Sequence, residues 1–393
     1  MEATFFYNGM AGAPSLGTAS AGDCITLLDA CLVNGFNTVT LTSITRSSNT
    51  ATATYTSHGY KRGQLVTISG ANESDYNGIF RVLTVPNANT FTFTVANTPA
   101  TPATGTISCK TTPLGWTKEY SGTNLAAYRA PAGNRRYLRV DDTPTNNVIV
   151  LGYNTMTAIS SGSDPFPNTT AVAANGYRVA KPNDTNGWII VGDDRRFFML
   201  SAASTTYWSV LVFGDMPSYK SGDTDNTIIH AAGQASDSAG VPFYLTQVGN
   251  QSSTASHSAT TGPVLYRDYT GLGTVGALFS VHMLAGSSTS YYPAMSATSV
   301  FTAGPSTITG GYHFGFIEIL ERISSANQPR FRLAGYIQVL NNIDHATLDK
   351  TVLPNAGGFP FVLVTSCTGL NGGSGCGFVF PLGDWETIFA TGI

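Results

Sequence analysis

Ser69 to Ile107 reads SGANESDYNGIFRVLTVPNANTFTFTVANTPATPATGTI, and apolar side chains alternate with hydroxyls along much of it. A period of two is the signature of a strand with one face buried, and the β-branched threonines suit the other face. Phe91, Phe93 and Val95 fall on one side of "NTFTFTV". Pro86, Asn87, Ala88 and Asn89 are expected to form a turn between this run and "GIFRVLTV". Just upstream, "TVTLTSI" and "NTATATY" read as a strand pair joined by a polar turn, and "QLVTISG" follows. Val39 with Leu41, and Val66 with Ile68, repeat the same facing. Residues 38 to 112 are predicted as a small all-β sandwich or barrel, closed by the stiff "TPATPATG".

Its flanks belong to something else. "DCITLLDACLVNGF" has the 3.6-residue period of an amphipathic helix, with Asp23 placed as N-cap, Ile25, Leu28, Cys31 and Leu32 on the apolar stripe, and Asn34–Gly35 as the stop. After the β cassette, "PLGWTKEYSGTNLAAYRAPAGNRRYLRVDD" opens an unrelated β-rich region. A cassette closed on itself is tolerated in a surface loop because only its two ends must meet. We therefore expect residues 1–37 plus 113–200 to form one β-rich domain with an N-terminal helix. Residues 38–112 are the inserted module, and residues 201–393 a C-terminal β-rich domain.

Strand-like runs continue through "RRYLRV", "NNVIVLGY", "GYRVA", "GWIIVGDD", "RRFFMLS" and "TYWSVLVFGD". None is followed by a helix long enough for a parallel crossover, so the expected class is mainly β and antiparallel. From Met216 to about Gly310 the chain is loop-heavy, with Ser/Thr tracts such as "NQSSTASHSATTG". "HFGFIEILERI", "RFRLAGYIQVL", "FPFVLVTS" and "CGFVFPL" return to strands, and "DWETIFATGI" adds a helical turn.

Charged residues make up 11% of the 393-residue chain, against about 25% in ordinary soluble domains. Net charge is −3, with 20 Lys and Arg spread thinly, which argues against direct nucleic-acid binding. No apolar run reaches the roughly 20 residues of a membrane span, and "MEATFFYNGMAGAPSLG" lacks a basic-then-apolar leader, so we expect no membrane insertion and synthesis in the cytoplasm. Five cysteines argue against a dense disulfide framework. Cys24 and Cys31 are separated by roughly 10 Å along the predicted helix, too far to bridge. Cys367 and Cys376 bracket "TGLNGGSG" and can face each other across a hairpin, either as a disulfide or, in a reducing cytosol, as two buried thiols.

Catalytic signatures are absent: "GGSGC" at Gly372–Cys376 fails as a nucleophile elbow at its last position, and there is no His-Glu-x-x-His or phosphate-binding loop. His58, His230, His257, His282, His313 and His345 stand singly, without zinc-ligand spacing. "GDTDNT" at Gly222–Thr227 begins like a calcium loop but has Ile228 where glycine is required. Asp141–Asp142 and Asp193–Asp194 each follow an apolar strand, a placement that suits paired carboxylates at a sheet edge, for Ca²⁺ or acid/base work. The same placement suits turn formation beside neutralising arginines, the reading we favour. Trp116, Trp188, Tyr207, Trp208, Tyr291 and Tyr292 have the chemistry to stack on sugars but sit mostly inside strand patterns, as core residues do. No cofactor or catalytic residue is assigned, and the chain is not read as an enzyme.

The cassette resembles a β module, Ig-like in kind, that recurs in structural proteins of tailed bacteriophages and prophages. The marks are the "HGY…G" turn at His58–Gly63, "VTISGAN" at Val66–Asn72, "YNG" at Tyr76–Gly78 and "TFTFTV". "LGWTKEYSGTNLAAYRAPAGNRRYLRVDD", "GWIIVGDDRRFFML" and "FGDMPSYKSGD" also resemble segments of phage virion proteins. The resemblance implies a virion structural protein of tail or baseplate type, a symmetric homo-oligomer among other virion proteins, with residues 38–112 as an outward module for adhesion or inter-subunit contact. It also fits a capsid-decorating or head-fibre protein. A different class, a receptor-binding tip that binds or cleaves host surface glycan, would use the aspartate pairs and exposed aromatics.

Overall fold

The computed structural model describes residues 1–17, 20–166, 176–181, 187–202, 208–232, 264–268, 270–271, 278–282, 314–323, 326–339, 350–356, 359–364 and 377–391. Side chains of some strand residues in the last third fall outside that description. The chain is mainly β, every described strand pairing is antiparallel, and one short helix lies near the N-terminus.

A central six-stranded sheet runs in the order Thr4–Tyr7, Trp188–Gly192, Arg196–Ala202, Trp208–Asp215, Thr227–Ala232, Val264–Leu265. Its strands carry unbroken apolar runs, and Ile189, Ile190 and Val191 are all fully buried. Because successive side chains point to opposite faces, that pattern requires cover on both sides. The cover is visible in neighbouring residues: Phe197 meets Trp116 edge-on on one side, while Phe198 meets Phe380 and Trp385 on the other. One face therefore packs towards a second sheet, Thr117–Gly122, Leu125–Arg129, Tyr137–Asp141, Asn147–Ala158 and Ser161–Phe166, with Tyr177–Ala180 also paired to the fourth of these. The opposite face packs towards a third sheet, in the order Leu278–His282, Phe314–Ile323, Ala326–Val339, Gly377–Pro381, Phe359–Val364, Val352–Ala356, and towards helix Trp385–Thr391. A single hydrophobic cluster joins residues from Ala3 to Phe389 across these layers and the N-terminal helix. The central sheet takes strands from both sides of residue 200.

The N-terminal helix is α-helical over Asp23–Leu28 and continues with π-type bonding over Asp29–Asn34. Cys24 and Cys31 are buried free thiols. Asp23 is not the N-cap: Gly22 occupies that position in a left-handed conformation, and no local side chain caps the turn. The acceptor comes from a distance, as Asp142 Oδ2 receives the N–H groups of Cys24 (2.8 Å) and Ile25 (3.2 Å).

The cassette is two facing four-stranded sheets around a hydrophobic core of its own. One sheet runs Phe36–Thr40, Gly105–Thr111, Leu65–Ala71, Gly78–Arg81; the other runs Ser43–Ser47, Thr50–Thr54, Thr90–Thr94, Thr84–Asn87. "TVTLTSI" is thus split at Leu41–Thr42, and "GIFRVLTV" at Val82–Leu83, with the chain crossing between sheets at each break. Entry and exit meet directly, since Phe36 pairs with Thr111. At the junction Gly35 has φ 74°, and a Cβ there would collide with the Thr111 carbonyl oxygen. The cassette is pinned to the body by Arg81, which bonds Glu2 (2.7 Å) and the Ala3 carbonyl (3.0 Å), and by Leu65 N–H donating to Thr4 Oγ1.

Candidate functional site

The four aspartates singled out by sequence are each committed to a different partner set. Asp141 accepts the Thr143 N–H at 3.1 Å and lies 3.8 Å from Arg139. Asp142 is fully buried beneath the helix, with Lys181 Nζ 2.5 Å from Oδ1 and the lysine itself 1% exposed. Asp193 accepts the N–H groups of Arg195 (2.8 Å) and Arg196 (2.9 Å) through one oxygen. Asp194 takes the Met1 ammonium at 2.8 Å. Asp141 and Asp193 thus act as turn formers beside arginine, whereas Asp142 and Asp194 make contacts over 117 or more residues. The two pairs share no partner among these contacts, so nothing joins them as one acid/base site.

Sequence inspection missed a larger knot of charge built around Arg196 and Asp215. The Arg196 guanidinium is 0% exposed, pairs with Glu386 of the C-terminal helix, and lies 3.7 Å from Asp193. Asp215 accepts the Asn134 N–H at 2.5 Å and the Thr227 hydroxyl. Arg136 bonds Asp225 (3.0 Å) and the Thr224 carbonyl (2.9 Å) and lies over the Tyr266 ring at 3.4 Å. Asp223 meets Arg330 at 2.8 Å, both nearly fully buried. The two carboxylates of "GDTDNT" therefore serve arginines. Burial pushes the carboxyls of Asp142, Asp193 and Asp215 above the usual range, against the pull of their cationic and hydrogen-bonding neighbours. Such a knot ties together segments far apart in the sequence.

Of the aromatic candidates, Trp116 and Trp188 are core residues, their indole N–H groups donating to the carbonyls of Asp193 (3.2 Å) and Pro14 (3.1 Å). The Trp208 side chain, Tyr207, Tyr291 and Tyr292 lie outside the described residues, as do His257, His313, His345, Cys367 and Cys376; His282 is placed as the end of a strand. His230 is buried. Among the described residues no cluster of His, Cys, Asp and Glu could hold a metal ion, and no helix is long and apolar enough to cross a membrane.

His58 is buried in the cassette, stacked on Tyr60 and edge-on to Phe91, with Nδ1 accepting the Tyr60 N–H at 3.0 Å. That bond requires the neutral ring, and burial lowers the His58 pKa below its ordinary 6.5, with the nearby Lys61 adding to the effect. A histidine depressed on folding contributes nothing above the unfolded value. As pH falls through 6.5 the unfolded chain takes the proton first, so stability drops until the folded pKa is passed. His58→Asn keeps an acceptor for Tyr60 without the titration. Between about pH 7.5 and pH 5.5 the wild-type melting temperature is expected to fall relative to that of the variant; parallel pH profiles would show that His58 does not titrate on folding.

The cassette's second sheet presents a surface of unusual uniformity. Ile44, Ala51, Ala53, Phe91 and Phe93 point inward and are fully buried. The other face carries Ser43, Thr54, Thr90 and Asn87 in one cross-strand row, Thr45, Thr52, Thr92 and Thr84 in the next, and Ser47, Thr50 and Thr94 in a third. All eleven are uncharged, ten are hydroxyls, and none is buried. Beyond it, Ile79 (52%) and Leu83 (39%) are the cassette's exposed large apolar side chains among the described residues.

No family model matches the chain, and no curated protein matches it. Among solved structures it is similar to "Phage phi92 endosialidase", at 10% identity and a TM-score of 0.18, over 88% of this chain and 52% of that one. The chain spans about half the length of that structure. A superposition this loose transfers neither fold nor activity.

Proposed function

We propose that this chain is a structural component of a tailed-bacteriophage particle, of tail or baseplate type, which assembles as a symmetric homo-oligomer and uses residues 38–112 as a contact module. The observation that carries this reading is the cassette itself. Its entry and exit strands pair, it has its own core, and it turns a charge-free hydroxyl face outward. The sequence marks at His58–Gly63, Val66–Asn72 and Tyr76–Gly78 lie within this unit and resemble virion modules. Open sheet edges support assembly, because an unpaired strand edge accepts another chain. Phe36–Thr40 and Gly78–Arg81 are edges of one sheet; Thr84–Asn87, an edge of the other, is blunted by Pro86.

The test is the absolute mass of the purified chain by light scattering, together with mass spectrometry of purified particles from a producing host. The expected result is a closed oligomer such as a trimer or hexamer, with the chain present in the particle. A monomer absent from particles overturns the proposal.

A further inference from the structure

Asp142 and Lys181 are the most completely enclosed lysine–carboxylate pair described in the molecule, 0% and 1% exposed. Lys181 Nζ lies 2.5 Å from Asp142 Oδ1, in direct contact with it. The other carboxyl oxygen is held by two convergent donors, the N–H groups of Cys24 and Ile25. Lys181 Nζ also donates to the Ser20 carbonyl at 2.6 Å, which fixes the amine against the carboxyl.

We propose that Asp142 and Lys181 condense to a side-chain amide, an intramolecular cross-link between the end of strand Tyr137–Asp141 and the end of strand Tyr177–Ala180. The step requires one proton to pass from the Lys181 ammonium to Asp142 Oδ1 across the 2.5 Å contact. Burial raises the Asp142 pKa and so moves the carboxyl in that direction. The free amine attacks Cγ. Negative charge develops on Oδ2, where the Cys24 and Ile25 N–H groups already point, the arrangement that stabilises a tetrahedral intermediate in acyl transfer. The new N–Cγ bond forms, the Cγ–Oδ1 bond breaks, and Oδ1 leaves as water, carrying its own proton and one from the attacking nitrogen. Nothing is oxidised or reduced, and no co-reactant is needed. Held at contact distance, the two groups gain the effective concentration that such a step requires.

Intact-mass spectrometry of the full chain, fully reduced so that no disulfide contributes, tests this directly. The expected mass is lighter than the sequence mass by one water, about 18 Da. Proteolysis should yield a branched peptide joining the segments that contain Asp142 and Lys181, and Lys181→Met should restore the full mass. An unmodified wild-type mass overturns the proposal whether or not the variant folds. So does a loss of water that maps to any other pair of residues.

Discussion

Arg196→Met is expected to destabilise the protein by about 3–5 kcal/mol, the usual cost of removing one partner from a buried ion pair. Its side chain is fully buried, and the charge it supplies faces Asp193 and Glu386. Glu386 is 41% exposed and can turn to water once released. Asp193 is 2% exposed and cannot; it keeps only the two backbone N–H groups of Arg195 and Arg196. Asp215, also drawn to Arg196, loses a counter-charge in the same stroke. Urea unfolding monitored by tryptophan fluorescence measures the loss. A change below about 1 kcal/mol would mean that backbone donors alone sustain these carboxylates.

Trp188→Ala is the second large effect, about 3–5 kcal/mol, because truncating a buried indole removes its transfer energy and leaves a cavity. Trp188 is 1% exposed, in the strand paired with Thr4–Tyr7, and its N–H holds the Pro14 carbonyl. Trp188→Phe separates the two roles. It keeps most of the apolar volume and loses the hydrogen bond, for which about 1–2 kcal/mol is expected. If the two variants unfold at the same urea concentration, the bond to Pro14 rather than packing dominates, and the cavity argument fails.

The antiparallel β class was legible because it rests on local alternation. "NTFTFTV" has one wet and one dry face, and Phe91 and Phe93 lie where a period of two puts them. The central sheet was legible only as a set of strands: "WIIV", "FFML" and "VLVF" do not alternate, and the cover on both faces that this requires was not read from them. The sheet-to-sheet crossings at Leu41–Thr42 and Val82–Leu83 were not legible, since alternation runs through them without a turn residue. Nor was the helix cap: Asp23 satisfies the local rule, but the acceptor is Asp142, 118 residues away from Cys24. The Arg196–Glu386 contact spans 190 residues. Pairings of that range leave no periodic trace in the chain. The Asp-Asp-Arg-Arg run at 193–196 was the available hint of a charge knot.

Strand Thr4–Tyr7 pairs with Trp188–Gly192, and Phe5 and Phe6 have no exposure once it does. During translation at about 5–20 residues per second, those phenylalanines wait for their partner on the order of ten seconds or more. The cassette closes far sooner, as soon as Thr111 has left the ribosome and can meet Phe36. A finished β unit therefore stands between an unpaired apolar N-terminal segment and the nascent remainder of the body. That interval exposes the chain to chaperones and to neighbouring nascent copies, so a slowed ribosome between residues 112 and 188 should harm yield more than the same delay placed before residue 36.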